Sequence, residues 1–152
     1  MAVPSSSRAA RQRFYRGFAR AHNALLRRTR GRPEHLGWRL RCLVLETTGR
    51  RSGLPRRVVL LYMPDGDGFV VLASNFGGER PPAWWVNLRA SPAAVVECRG
   101  RRIPVRAREL AGDERAVTLA RAKAYNKQWR GYAASLQRPL PVVRLEPATP
   151  RD

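Results

Sequence analysis

The sequence predicts one α+β domain whose mainly antiparallel strands form a small barrel. The first observation is a series of about six apolar, strand-like runs along the chain. The second is that hairpin-type connections outnumber connections of the βαβ kind, which argues against a doubly wound sheet. The third is size: 152 residues with 43% hydrophobic content are sufficient for a single buried core.

The N-terminal segment, residues 1–36, is predicted to differ from the barrel domain, residues 37–152. From Arg8 to about Arg30, apolar residues recur at helical spacing while arginines face elsewhere. This pattern indicates a basic amphipathic helix. Such a helix packs on its own domain, lies on an anionic membrane surface or touches nucleic acid, and the sequence leaves these three alternatives open.

Six segments are predicted to be strands from their apolar content and from the turn residues between them. They span residues 39–46, 57–63, 69–73, 94–98, 102–110 and 140–145. The strongest turn signal is the stretch of proline, aspartates and glycines at 64–68. Pro104 lies inside the fifth strand and indicates an edge position or a bulge, because proline has no N–H to donate to the ladder.

A short helix is predicted between the proline pair at 81–82 and the Ser-Pro pair at 91–92. It carries two adjacent tryptophans, Trp84 and Trp85, which cannot face the same way on a helix. We expect one of them in the core and the other against something flat.

A longer helix is predicted from Asp113 to about Arg130. Acidic residues suit its N-terminus and basic residues suit its C-terminus. Gly131 is expected to end it, which would place Tyr132 just outside the helix.

Neither a metal site nor a disulfide framework is predicted. Cys42 and Cys98 lie in apolar runs, where a buried thiol is the usual state of cysteine. His22 and His35 have no neighbouring cysteines or carboxylates at ligand spacing.

The net charge of +19, carried almost wholly by arginine, narrows the range of partners. A protein this basic attracts phosphates, polyglutamates, anionic lipid or nucleic acid. Nucleic acid is disfavoured, because the aromatic residues Phe76, Trp84 and Trp85 cluster instead of alternating with arginines along a strand. No apolar run reaches about 18 residues, and the N-terminus lacks the apolar core of a signal peptide. We therefore expect a cytoplasmic protein, with a peripheral position on the inner face of the cell membrane as the alternative.

The stretch from Thr47 to Arg57 carries the clearest binding signal. It connects two predicted strands and contains two glycines, three hydroxyls and four arginines. Glycines let the backbone turn its N–H groups toward a guest, and hydroxyls and guanidinium groups add donors, so this composition suits a phosphate or carboxylate cradle. The spacing of a P-loop is absent. The alternative is a polar hairpin loop with solvated charge.

Four motifs in order resemble the deazaflavin-dependent nitroreductase and quinone reductase family. They are Glu-Thr-Thr-Gly-Arg-Arg-Ser-Gly at 46–53, Ala-Ser-Asn-Phe-Gly-Gly at 73–78, Pro-Ala-Trp-Trp-Val-Asn-Leu at 82–88 and Pro-Val-Val-Arg-Leu-Glu-Pro at 141–147. The resemblance covers roughly residues 38–147. It implies a split β-barrel, of the kind that also binds flavin mononucleotide, and an oxidoreductase. It also implies the deazaflavin coenzyme F-420 as hydride donor to a quinone, a nitroaromatic or an activated alkene.

The resemblance and the donor chemistry together assign the site. The arginine-rich loop is expected to hold the phosphate and the glutamate tail of the coenzyme, and the second and third motifs are expected to hold its flat ring. The predicted cofactor-binding residues are Thr48, Gly49, Arg50, Arg51, Ser52, Arg56, Arg57, Ser74, Asn75, Phe76, Ala83, Trp84 and Asn87. By resemblance, Tyr132 is expected on the acceptor side as the catalytic residue, with Tyr125 as a weaker candidate.

Two other interpretations remain at this point. A split barrel using flavin mononucleotide or haem would share the fold and a phosphate-binding loop. A basic nucleic-acid-binding protein would explain the charge alone. The expected partners are a small-molecule hydride acceptor and, by analogy with other split barrels, a second copy of the chain.

Overall fold

The computed structural model describes Arg20, Ala24 and residues 41–148, and residues 41–148 form seven strands and three helices. The strands are β1 (Cys42–Thr48), β2 (Pro55–Leu61), β3 (Met63–Asp65), β4 (Gly68–Leu72), β5 (Ala93–Cys98), β6 (Arg101–Glu109) and β7 (Val142–Pro147). The helices are α1 (Ala83–Ala90), α2 (Gly112–Tyr125) and α3 (Lys127–Ser135), and a 3₁₀ turn covers Asn75–Gly77. Of the predicted N-terminal helix, Arg20 and Ala24 are helical and exposed. The rest of that helix and the boundary between residues 36 and 37 lie outside the described residues.

The strands form one sheet in the order β2-β1-β5-β6-β7-β4-β3, and each pair of neighbours is antiparallel. Sequential hairpins supply β1/β2, β3/β4 and β5/β6, as the turn signals predict. The predicted antiparallel α+β class is therefore confirmed.

Residues 41–148 contain one strand more than predicted, because the run at 57–63 breaks at Tyr62. Leu61 ends β2 and Met63 begins β3, yet these two strands stand at opposite ends of the sheet order. A single residue can join the two ends only if the sheet curls around on itself. The backbone N–H of Tyr62 donates to the carbonyl of Arg41 at 3.1 Å, which holds the crossing point against the start of β1.

At β4 the sheet is buried on both faces, since alternate residues of this strand belong to different hydrophobic clusters. In β4, Val71 belongs to the cluster that includes Trp84 and Trp85 of α1. Its neighbour Val70 belongs to the cluster that includes Trp129 of α3. The sheet thus lies between α1 on one side and the α2–α3 pair on the other. The expectation that one of the two α1 tryptophans would stay free of the core is wrong, because both are buried.

The single long helix predicted from Asp113 to Arg130 is also wrong, because the helix breaks at Asn126. Asn126 has extended φ and ψ of −136° and 116°, and its side chain accepts a hydrogen bond from the N–H of Gln128 at 2.8 Å. This is an N-cap, which satisfies one of the free N–H groups at the start of α3. Consequently Gly131 lies inside α3, and Tyr132 is a helical residue one turn beyond Gln128.

Pro104 is neither at an edge nor at a bulge, since β6 lies in the interior of the sheet between β5 and β7. Its missing N–H is tolerated because the β6/β7 ladder ends at the next pair, Val105 with Pro147. Beyond it, the N–H of Ala148 donates to the Pro104 carbonyl at 2.8 Å.

Candidate active site

The β1–β2 loop is a tight hairpin connection held by its own polar groups. The N–H of Gly49 donates to the Leu54 carbonyl and the N–H of Gly53 donates to the Gly49 carbonyl, both at 2.8 Å. The hydroxyl of Ser52 accepts from the N–H of Leu54 at 3.2 Å and from the Arg56 guanidinium at 3.4 Å. The loop is therefore built before any ligand arrives.

Position 49 has no room for a side chain, so a glycine is needed there. A Cβ at this position would lie 2.5 Å from Oγ of Ser52 and 3.1 Å from the carbonyl oxygen of Leu54. Both distances are shorter than an ordinary carbon–oxygen contact, so a side chain here would push the loop open. Gly53 is required for a different reason, because its φ of 68° lies in the left-handed region.

Asn87 of α1 fixes this loop to the body of the domain. Its side-chain oxygen accepts from the backbone N–H of Arg50, and its side-chain nitrogen donates to Oγ1 of Thr47, both at 3.1 Å. Thr47 is buried, while Thr48 is exposed. The described contacts of Asn87 are therefore with the loop itself: its amide holds the loop that carries the arginines.

All four loop arginines are exposed, and the direction in which each faces separates them. Cross-strand pairing puts Arg56 opposite Thr47, on the α1 side of the sheet. Arg57, one residue further on, faces the other side. The structure therefore does not bring Arg57 to this site, contrary to prediction.

Arg57 belongs instead to an ion-pair row on the outer face of the sheet. Its guanidinium contacts the carboxylates of Glu46, at 3.5 Å, and of Glu97. Arg102 of β6 contacts the same two carboxylates. With both acids bound to guanidinium groups on that face, the charge of Arg57 is compensated within the protein.

The second predicted loop follows β4 and contains three successive residues with positive φ. They are Asn75 at 45°, Phe76 at 55° and Gly77 at 76°. The side chain of Asn75 donates to the Arg80 carbonyl at 2.9 Å. Ser74 is buried, whereas Phe76 is 42% exposed, unusual for a large apolar ring. The turn thus presents one aromatic side chain outward on a strained backbone.

Phe76 and Tyr132 meet edge to face. Their ring centroids lie 6.2 Å apart with an interplanar angle of 88°. Gly77 lies next to the same helix: a Cβ there would lie 3.2 Å from Oγ of Ser135 and 3.8 Å from the Tyr132 ring. The structure therefore brings the predicted cofactor-binding turn and the predicted acceptor-side tyrosine together.

Three other predicted residues differ in how exposed they are and where they lie. Ala83 is exposed at the start of α1. Trp84 is 7% exposed and lies edge to face with Trp85, so its ring offers no open stacking surface. Tyr125 is 45% exposed and lines a separate cleft of about 420 Å³ between the α2–α3 break and the end of β2.

Arg138 is a residue of this region that sequence reasoning missed. Its guanidinium donates to the carbonyls of Ala73 and Ser74, both at 3.1 Å, and to that of Gly78 at 3.0 Å. No local pattern signals these bonds, since 60 or more residues separate the partners.

The sequence profile of F420H(2)-dependent quinone reductases matches residues 18–147. The chain belongs to this family. Membership confirms the predicted class of oxidoreductase and the predicted coenzyme, F-420, of which F420H(2) is the reduced form. It decides against flavin mononucleotide and against a nucleic-acid-binding protein as the main interpretation.

Two relatives of this chain are F420H(2)-dependent quinone reductases of Mycobacterium tuberculosis. The F420H(2)-dependent quinone reductase Rv1261c of Mycobacterium tuberculosis strain H37Rv is 32% identical over 131 residues, which cover 83% of this chain and 87% of the relative. The putative F420H(2)-dependent quinone reductase Rv3178 of the same strain is 32% identical over 105 residues, covering 69% of this chain and 88% of the relative.

Solved structures confirm the split barrel. An F420-H2 dependent reductase, FDR-A, superposes with a TM-score of 0.64 at 29% identity and covers 69% of this chain and 93% of its own. The heme storage protein HutZ of Vibrio cholerae shares the fold, with a TM-score of 0.55 at 17% identity over 79% of this chain and 92% of its own.

The donor set of the β1–β2 loop fits the coenzyme of the family. Coenzyme F-420 carries a phosphodiester and an oligoglutamate tail, both anionic. Residues 47–57 contain no acid, and Arg50, Arg51 and Arg56 are exposed on them. Charge-assisted hydrogen bonds from guanidinium groups are the strong way to hold such anions.

No thiol nucleophile is available for F420H(2)-dependent chemistry in the described part of the chain. Burial raises the pKa of the half-buried Cys42 to about 11. Cys98 is buried, and its thiol donates to the Tyr62 hydroxyl at 3.3 Å. Both cysteines are free, and residues 41–148 contain no cluster of histidines, cysteines and acids that could hold a metal ion.

Within residues 41–148, no helix has the length and apolar character needed to span a membrane.

Proposed function

We propose that this chain reduces a quinone at a site formed by the β1–β2 loop, the turn after β4 and the middle of α3. The observation that carries the proposal is the contact between Phe76 and Tyr132 at 6.2 Å. It supports one continuous surface from the residues assigned to the coenzyme ring to the residue assigned to the acceptor.

The anionic part of the coenzyme is assigned to Arg50, Arg51 and Arg56. The loop that carries them is closed by Gly49 and Ser52 and tied to α1. A ligand that finds its donors already placed loses less conformational entropy on binding, so the preformed loop favours affinity. The general positive charge of the protein increases the rate at which an anionic tail is captured.

The ring is assigned to the turn at Ser74, Asn75 and Phe76, with Ala83 at its border. The exposed side of Phe76 offers an apolar edge, and the positive-φ backbone fixes where that edge points. When bound in its reduced form, coenzyme F-420 supplies the hydride. The chain itself has to orient the acceptor and keep water away.

Tyr132 is assigned to the acceptor. Its half-buried ring can pack along an aromatic acceptor, and its hydroxyl can donate a hydrogen bond to the quinone oxygen on which negative charge develops. A quinone suits this arrangement because it is flat and bears an oxygen at the edge that a phenol can reach.

The decisive experiment is a titration of the purified protein with oxidised coenzyme F-420, followed by tryptophan fluorescence, with flavin mononucleotide titrated in parallel. We expect Arg51→Ala and Arg56→Ala each to weaken binding of the coenzyme. Arg101→Ala is the matched control: Arg101 is also exposed, but it stands at the β5–β6 turn, at the opposite end of β1 from the loop. If all three variants lose the same affinity for coenzyme F-420, the loss comes from net charge and the loop is not the binding site. A preference of the protein for flavin mononucleotide would overturn the proposal.

Three predictions about the rest of the chain belong to the same proposal. Residues 1–36 are assigned to a separate basic segment. If this segment binds anionic membrane, deletion of residues 1–30 will abolish liposome binding and leave coenzyme affinity intact; loss of coenzyme affinity instead would mean that the segment covers the site. The protein is cytoplasmic or peripheral to the membrane. It forms a homodimer, which a solved domain-swapped dimer of the same fold makes structurally feasible; sedimentation equilibrium tests this.

A further inference from the structure

The guanidinium of Arg138 spans both ends of the turn after β4. One of its terminal nitrogens donates to the carbonyls of Ala73 and Ser74 at the start of the turn, each at 3.1 Å. Its Nε donates to the carbonyl of Gly78 at the end of the turn, at 3.0 Å. The other terminal nitrogen donates to the neighbouring carbonyl of Pro139 at 3.2 Å. One side chain therefore connects both ends of the turn, and we call this set of hydrogen bonds from Arg138 the clamp.

The turn needs such support, because its backbone is strained. Asn75 and Phe76 are not glycines, yet both have left-handed φ values of 45° and 55°. Residues in this region cost roughly 1–3 kcal/mol each and persist only where the surroundings hold them. The bonds within the turn are the N–H of Gly77 to the Ser74 carbonyl at 2.9 Å and that of Gly78 to the Asn75 carbonyl at 3.0 Å.

Arginine has the shape that this clamp requires. Its planar fork offers five N–H donors, whereas lysine offers a single point charge on a flexible stem. Arg138 is half-buried, and this burial lowers the pKa of its guanidinium below the ordinary value. The group nevertheless stays charged at physiological pH, because the ordinary pKa of arginine lies far above it. Its bonds to neutral carbonyls are therefore charge-assisted and strong.

The clamp also fixes the position of the turn relative to α3, the two elements between which the proposed site lies. Arg138 follows α3 by three residues, and α3 carries Tyr132. The turn carries Phe76 and contacts α3 through Gly77, which faces Ser135 and Tyr132. A displacement of the turn would thus separate the residues assigned to the coenzyme ring from the residue assigned to the acceptor.

We propose that Arg138 is the positioning residue of this site, fixing the turn that carries Ser74, Asn75 and Phe76 against the helix that carries Tyr132. This inference rests on the proposed function for its catalytic consequence. Its structural part, the clamp, stands independently.

The test compares Arg138→Ala and Arg138→Lys with the wild type, and uses Arg115→Ala as matched control. Like Arg138, Arg115 donates from its guanidinium to a backbone carbonyl, in this case that of Leu140 alone, at 2.7 Å. Arg115 lies on α2 and has no hydrogen bond to the turn. Three quantities are measured: amide hydrogen exchange of Gly77 and Gly78, the Kd for oxidised coenzyme F-420, and kcat and KM for a soluble quinone.

We expect exchange at Gly77 and Gly78 to accelerate in both Arg138 variants and to stay unchanged in Arg115→Ala. The Kd for coenzyme F-420 should rise, and kcat/KM should fall by about tenfold to a hundredfold, the size of effect that follows from misplacing a reacting group. Guanidinium ion added at a non-denaturing concentration should restore part of the activity of Arg138→Ala, because it can occupy the vacated position. A variant that had merely lost stability would be harmed by the same ion.

Unchanged exchange at the two glycines would overturn the clamp. Accelerated exchange with an unchanged Kd and unchanged kinetics would show that the clamp serves stability alone, and would overturn the positioning role. If the wild type itself fails to bind coenzyme F-420, the proposed function has failed, and the exchange data still decide whether the clamp exists.

Discussion

The side-chain amide of Asn87 donates a hydrogen bond to Oγ1 of Thr47 at 3.1 Å, across 40 residues of chain. The same amide accepts from the N–H of Arg50. One helix residue therefore decides where the arginine-rich loop stands.

Replacing Asn87 by alanine should remove both hydrogen bonds that hold the β1–β2 loop to α1. Losing a partner for a partly buried polar group costs about 1–3 kcal/mol, so we expect Asn87→Ala to lower the free energy of unfolding by that amount. The Kd for coenzyme F-420 should rise as well. Urea denaturation and the fluorescence titration measure the two effects. Gln128→Ala, which removes an exposed amide from α3, is the control, and equal behaviour of the two variants would contradict this role.

Gly49→Ala should destabilise the loop through contact with Ser52 and Leu54. We expect a loss of roughly 1–3 kcal/mol, the usual cost of overpacking. The double variant Gly49→Ala/Ser52→Ala removes the shorter of the two contacts and should recover part of that loss. Thermal denaturation of the single and double variants checks this, and an unaffected single variant would mean that the loop has room to move.

Gly131→Ala should stabilise the protein. Gly131 lies inside α3, and nothing lies within 4 Å of the position where a Cβ would stand. Alanine in a helix interior gains roughly 0.4–1 kcal/mol over glycine. A glycine that ended a helix in a left-handed conformation would show the opposite sign. The midpoint of urea denaturation therefore distinguishes the helix break at Asn126 from a single long helix.

Tyr132→Phe should lower kcat for quinone reduction by roughly a hundredfold, as expected when one donor to a developing negative charge is lost. The Kd for coenzyme F-420 should change little, because the ring remains. Tyr125→Phe is the matched control, since Tyr125 lines the separate cleft. Steady-state kinetics of both variants measure the effect, and a loss of rate in Tyr125→Phe alone would move the acceptor to that cleft.

Stability should fall at alkaline pH, because the fold favours the neutral forms of the Tyr62 phenol and the Cys42 thiol. Burial, the largest effect, raises the pKa of Tyr62 from 10.0 to about 12. Burial raises the pKa of Cys42 from 9.0 to about 11. An acid whose pKa is higher in the folded state stabilises the fold fully below its unfolded pKa and loses this contribution as pH rises through its folded pKa.

The expected decline therefore begins near pH 9, from Cys42, and continues to about pH 12, from Tyr62. Urea denaturation across this range measures it, and the ultraviolet absorbance of tyrosinate reports the ionisation of Tyr62. In Tyr62→Phe the upper part of the decline should disappear. A flat profile in the wild type would show that these groups titrate normally.

Local features could be predicted because local forces produce them. The turn at 64–68 and the alternation along the strands indicate antiparallel hairpins without any knowledge of distant residues. The composition of residues 47–57 indicates an anion site, since glycines, hydroxyls and arginines have the same chemistry in any fold. The four ordered motifs indicated the family and, with it, the coenzyme.

Tertiary structure alone decided which of these residues work together. Alternation predicts that Arg56 and Arg57 face opposite ways, but only the packing of α1 on one face and the acids Glu46 and Glu97 on the other decide which arginine faces the site. Arg138 acquires its role only when folding brings it to the turn after β4. Such long-range contacts depend on how the sheet curls, and a sequence pattern read over ten or twenty residues carries no record of that.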